Sequence, residues 1–126
     1  MIEKKVHMTF SLAVVVAAMT GCGYFSSVSY QEDVNPILKE RCAACHMAKG
    51  EGTQKSGFEV SSYDTVMKGT KFGAVIVAGD SASSTLYRLV SGKVNKSIRM
   101  PHGEGGLSPE EIAVLQNWID QGAKNN

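Results

Sequence analysis

Two cysteines and a histidine stand within five positions, Cys42-Ala43-Ala44-Cys45-His46, and those types at that spacing permit few chemistries. Two thiols three positions apart can add across the two vinyl groups of one porphyrin, and the imidazole that follows is then held beneath the iron as its first axial ligand. C-x-x-C-H is the pattern of covalent haem attachment. The competing uses of the pair are a local disulfide or redox dithiol, half of a zinc site, or two ordinary buried thiols. Zinc needs four ligands, usually from a second Cys or His pair, and the remaining candidates Cys22, His7 and His102 form none. A thioredoxin-like dithiol belongs near a βαβ pattern, which the chain lacks. The histidine directly after the second cysteine discriminates most, so the expectation is one covalent haem c at Cys42, Cys45 and His46.

The group opposite His46 decides what such an iron does, because two strong protein ligands make an electron carrier while an open position admits a small molecule. The candidates are Met47, Met67, Met100 and His102. Met47 adjoins the proximal histidine and cannot reach the other face. Met67 falls within a short helical pattern, where a thioether usually fills core. Met100 lies in Arg99-Met100-Pro101-His102-Gly103, 54 positions after His46, enough chain to pass to the far side, and Pro101 biases it toward extended backbone. Met100 is therefore the expected distal ligand, with His102 as its competitor. A thioether favours ferrous iron and raises the potential, whereas a second imidazole leaves it lower. Lys96 and Arg99 are candidates to pair with haem propionates, although each also suits a solvated surface.

The chain has 126 residues, 43% hydrophobic and 20% charged, with 13 glycines, which bounds it to one small, loop-rich domain with a thin core. A buried porphyrin would supply the largest apolar object in such an interior. Its formal charge of +1 argues against a polyanionic partner, and no basic run or aromatic stripe suggests nucleic acid. No nucleophile and base constellation, paired-carboxylate motif or phosphate loop supports hydrolysis or group transfer, so the chain is expected not to be an enzyme.

Lys4 and Lys5 precede an apolar run from Met8 to Met19 and then small residues, the order of an export signal over 1–21. The run is too short to span a bilayer comfortably. Met19-Thr20-Gly21-Cys22 resembles the lipobox of bacterial lipoproteins, which marks Cys22 for lipidation; a plain signal peptide would instead leave Cys22 as a free or bridged thiol. Gly23 after the cysteine resembles the pattern sorted to the outer membrane. Loss of Glu3, Lys4 and Lys5 leaves a formal charge of zero, so electron partners are not expected to be found by strong monopole steering.

Four helices joined by Gly-rich loops are expected to position these groups. Residues 22–31 read as a lipidated cysteine and flexible tether, with the folded domain over 32–126. Asp33 or Asn35 can cap a first helix with Pro36 in its first turn and Val34, Ile37 and Leu38 along one side. Residues 47–60 read as a surface loop. Ser61-Ser62-Tyr63-Asp64 has capping-box spacing before a short helix ending at Gly69. Phe72 to Gly79 is apolar and β-branched, but no partner strand is evident, so it reads as a buried extended segment leading to Asp80 or Ser81 as cap of a third helix. Ser108-Pro109-Glu110-Glu111 opens the last helix, in which Ile112, Leu115, Trp118 and Ile119 share one face. Trp118 is read as core rather than as an electron relay. The faces of the first and last helices are expected to touch.

Together VNPILKERCAACH (34–46), Gly79-Asp80, Arg99-Met100-Pro101-His102-Gly103 and LSPEEIAVLQNWIDQGA (107–123) resemble the monohaem c-type cytochromes, in particular the planctomycete-type cytochrome c domain, over about residues 32–124. The resemblance implies an all-α fold and electron transfer, with Cys42 and Cys45 as thioether sites, His46 as proximal ligand and Met100 as distal ligand. Relatives in that subgroup are commonly joined to larger modules, whereas this domain is expected to stand alone. The reading is a lipid-anchored single-electron carrier passing electrons between redox proteins at the extracytoplasmic, periplasmic side of a bacterial membrane, the outer one in preference to the inner. The alternatives are a haem-based sensor or small peroxidase with an open distal position, and a non-haem metal or thiol module.

Overall fold

A computed structural model describes residues 26–103 and 105–126; the export segment and Cys22 lie outside them. Six short helices follow one another among the described residues, α1 (Asn35–Arg41), α2 (Ala43–His46), α3 (Glu51–Ser56), α4 (Tyr63–Lys68), α5 (Thr85–Val90) and α6 (Pro109–Asp120), with no strand between them. The expected all-α architecture is thus observed, built from more and shorter helices than the four anticipated. No described helix is long and apolar enough to cross a membrane.

The first helix begins earlier than Asp33 or Asn35. Ser29 caps a wide turn over Tyr30–Val34 by accepting from the Glu32 amide, and Asp33 reaches back to accept from the Ser29 amide at 2.8 Å. In this turn the Asn35 amide donates to the Tyr30 carbonyl, five residues back. Pro36, which has no amide to donate, sits where this wide spacing gives way to the ordinary register of α1. Tyr30 is buried, and the Tyr30 and Gln31 amides donate to Asn126. The packed unit therefore takes in the end of the segment read as a tether.

In α6 Ser108 caps through the Glu111 amide, and Glu111 returns a bond to the Ser108 amide at 2.7 Å; a serine cap of this kind typically contributes about 1 kcal/mol. Leu115, Trp118 and Ile119 are buried in one cluster with Val34 and Leu38, and Ile37 packs against it. Tyr30 lies 5.5 Å from Trp118, centroid to centroid, and Tyr63 edges onto Tyr30 at 5.1 Å. At the opposite end Arg41 Nε donates to Glu111 Oε1 at 2.8 Å. The first and last helices thus meet through Arg41 and Glu111 and through the shared core cluster, with Trp118 in the core as expected.

Between them the middle of the chain departs from expectation in detail. The α4 box joins Ser62 to Thr65 rather than Ser61 to Asp64. In the apolar run only Val75 and Ile76 are buried, while Phe72 is 84% exposed. Neither Asp80 nor Ser81 caps α5, which begins after Ser84. The Ser81 amide and hydroxyl are both taken by Asp120, and Asp80 accepts from the Ser83 amide, so those polar groups close a turn onto α6 and the helix starts beyond it.

Arg41 first, and then the Ser108 amide, hold the Glu111 carboxyl below the usual carboxylate range. A group depressed in this way contributes stability that is present above its ordinary pKa and is lost as pH falls through the lowered value. Glu111→Gln should therefore flatten the loss of stability between pH ~5 and the acid limit, where ordinary carboxylates titrate, as read by urea melts across that range. An acid limb as steep as that of the wild type would separate Glu111 from it.

Candidate functional site

Cys42 closes α1, its amide donating to the Leu38 carbonyl, and α2 then carries Cys45 and His46 within one turn. The sulfurs of Cys42 and Cys45 are not bonded to each other. Cys42 is half-buried, and its thiol is pushed up to about 11, by burial first and then by the neighbouring Cys45 and Glu111. An attacking thiol requires the reverse shift, since the thiolate is the reacting species, so Cys42 is not a nucleophile of that kind. No cluster of metal-ligating side chains occurs among the described residues to support a zinc site.

His46 Nδ1 lies 3.1 Å from the Phe58 carbonyl oxygen. A carbonyl can only accept, so Nδ1 carries a proton, and in the neutral ring the lone pair then falls to Nε2, the tautomer in which an imidazole binds a metal through that nitrogen. The ring also packs edge-on to the buried Phe58 side chain, centroids 5.3 Å apart. The His46 carbonyl accepts from the Val60 amide at 2.9 Å. Backbone and side chain of the histidine are thus both pinned to residues 58–60.

Sequence reasoning left 47–60 as a loop and missed α3, which backs this turn. Two glycines allow the approach: a Cβ on Gly52 would stand 2.6 Å from His46 Cε1 and 2.8 Å from Nε2, and one on Gly50 would run into the Cys45 carbonyl. Glycine is poor in helix, so propensity hides the element. The available signal was the Glu51–Lys55 spacing, an i,i+4 pair that closes at 2.6 Å. A second missed residue is Thr53, whose hydroxyl donates to the same Phe58 carbonyl at 2.9 Å.

Met100 is half-buried against the core, its amide donating to the Leu89 carbonyl at 3.3 Å. It borders a cleft of about 470 Å³ together with His102, Lys96, Arg99 and Ser91. His102 is exposed on the same rim, while Met67 packs on the core and Met47 is 42% exposed. Lys55 holds the Glu51 carboxyl below its usual range, and His102 adds a smaller pull in the same sense. Cys42, Cys45 and His46 form one group and Met100 and His102 another; Cys42, Ala43 and Met100 pack on one continuous core.

These residues fit a haem. Two unbonded thiols precede an imidazole whose Nδ1 is held by a carbonyl and whose Nε2 edge meets no side chain, only the backbone at Gly52, and the cleft beside Met100 is bordered by the cations Lys96 and Arg99 and by Ser91, whose buried hydroxyl has no partner among the described residues. An acidic group such as a propionate would satisfy that edge. Arg99 now donates to the Gly92 carbonyl at 3.1 Å, and both cations are exposed.

A helical domain with this turn and a methionine-bearing cleft defines a cytochrome c-like protein. The family model described as Planctomycete cytochrome C matches residues 42–104, half of the chain, and the chain belongs to that family, making a haem-binding electron carrier its coarse function. Comparison with curated proteins and with solved structures found no match.

Gly52→Ala should push the His46 ring off the Phe58 carbonyl, with an overpacking cost of about 1–3 kcal/mol. The expected readout is a lower haem-to-protein ratio and weakened low-spin bands in the visible spectrum. A variant with wild-type loading and spectrum would show that the helix yields instead.

Proposed function

We propose that this chain is a lipid-anchored monohaem electron carrier. Cys42 and Cys45 form thioethers to one haem c, His46 Nε2 and the Met100 sulfur are the axial ligands, and Cys22 carries the lipid at the extracytoplasmic face of a bacterial membrane, the outer one in preference to the inner. The observation that carries the reading is the Nδ1 to Phe58 bond, which orients the ring and makes Nε2 the metal-binding nitrogen of the neutral imidazole, beside two unbonded thiols.

Bound haem supplies a one-electron couple. The protein's work is to hold both axial groups through the change of oxidation state. His46 is fixed by residues 58–60, and Met100 is anchored by its amide bond to Leu89 and by core contact. With both axial positions filled by protein, small molecules are excluded from the iron and electrons pass to other redox proteins. The lipid on Cys22 would confine those encounters to the membrane surface, and the residues after it lead to Ser27 and Val28 beside α6.

A pyridine haemochrome assay with intact mass on protein matured in a periplasm should give one macrocycle per chain that survives denaturation. Met100→Ala should then become high-spin, bind carbon monoxide rapidly when reduced and fall in potential. An unchanged low-spin spectrum would remove Met100 from the iron and leave His102 as ligand, while rapid carbon monoxide binding by the wild type would favour the sensor or peroxidase reading.

The anchor is tested separately. Cys22→Ser should move the haem protein from the membrane pellet to the soluble fraction on cell fractionation, with its spectrum intact; retention of the variant in the pellet would overturn the lipid on Cys22.

A further inference from the structure

The Phe58 carbonyl oxygen receives two donors, His46 Nδ1 at 3.1 Å and Thr53 Oγ1 at 2.9 Å. The hydroxyl makes the shorter bond. We infer that Thr53 is a tuning residue for the iron, acting through this shared carbonyl, and the inference rests on the reading of His46 as a haem ligand.

The argument is one of competition for electron density. A backbone carbonyl has two lone pairs, and each donor that binds one withdraws density from the other. The stronger the acceptor facing Nδ1–H, the more negative the imidazole becomes and the more it donates through Nε2, which stabilises ferric iron and lowers the potential. By occupying the carbonyl, the Thr53 hydroxyl weakens the bond to Nδ1, limits that donation and holds the potential up. The placement is specific. Thr53 lies on α3 one position after Gly52, the residue whose missing side chain lets this helix approach the ring. The Thr53 carbonyl meanwhile accepts from the Gly57 amide at 2.7 Å, so the backbone closes the end of α3 and the hydroxyl is not required for that.

Thr53→Val keeps the shape and removes the donor, whereas Thr53→Ser restores it. In the haem-loaded Thr53→Val protein the ferric-to-ferrous ratio at a fixed applied potential should rise by about threefold to tenfold, tenfold being ~59 mV for a one-electron couple. The His46 Nδ1–H proton of the ferrous protein should move downfield in the NMR spectrum, and Thr53→Ser should match the wild type in both. A Thr53→Val protein with full haem loading, reduced thermal stability and an unchanged potential would overturn the inference and make Thr53 structural only. Should Thr53→Val not fold, the ferrous wild type decides: an exchange-protected Thr53 hydroxyl proton close to His46 Nδ1–H supports the shared carbonyl, and its absence overturns it. Failure of the wild type to carry haem is a different result, which sinks the proposed function itself.

Discussion

Because a carbonyl oxygen accepts and never donates, the ring nitrogen of His46 that faces Phe58 must carry a proton, and in the neutral ring the lone pair is thereby left to the other. Much of the surrounding architecture secures this one contact. The Val60 amide binds the His46 carbonyl, the buried Phe58 ring abuts the imidazole, and α3 closes over the turn on Gly50 and Gly52. A histidine free to rotate or to change tautomer would offer its lone pair to solvent for part of the time. Here the backbone of residues 58–60 makes that choice before any cofactor binds.

The rest of the chain works as a frame for that turn. The α1 helix delivers Cys42 at its end, and its placement is tied to α6 by two contacts: aromatic packing of Tyr30, in the turn before α1, on Trp118, and Arg41 with Glu111. Glu111 joins the two levels of organisation, since one oxygen completes the cap of α6 and the other binds Arg41, next in sequence to Cys42. The segment around Val75 to Ser81 is tied to α6 through Gly79 and Ser81, and α5 follows from it to Leu89, whose carbonyl takes the Met100 amide. The two halves of the candidate site thus refer to one helix along separate paths. A change in α6 should be felt at both.

The strongest sequence signals were those with a local mechanism. The α6 box is written in Ser108, Pro109 and Glu111 and needs nothing from elsewhere, and the C-x-x-C-H spacing is equally self-contained. What stayed illegible depended on distant partners. Asp80 and Ser81 look like caps, yet Asp120, 39 positions after Ser81, takes the serine, so the helix they were expected to start begins at Thr85. Phe72 belongs to an apolar run and is nonetheless exposed, because burial in that run is confined to Val75 and Ile76. The α3 helix was hidden for the opposite reason: its glycines are unfavourable locally and are present because only a residue without a side chain fits against Cys45 and His46. Ser29 and Tyr30 sit in a polar, aperiodic stretch whose order comes from hydrogen bonds to Asn126. A pattern of spacings along the chain carries none of these pairings.

The same geometry also bears on what Cys42 can do within its Cys-x-x-Cys pair. A thiol exchanging with disulfides must ionise near neutral pH, which nearby cations or a helix N-terminus arrange by lowering its pKa. Around Cys42 the influences run the other way: apolar burial, a second thiol and the Glu111 carboxylate all favour the neutral form. Cys42 is also the residue of the pair that packs against the core, while Cys45 is exposed. A neutral, core-facing sulfur is poorly placed to attack a substrate in solvent but well placed to be joined to an apolar ring that extends the core. Burial of Cys42 and the orientation of the His46 ring are independent features, set by different neighbours, and both suit an apolar iron-bearing macrocycle.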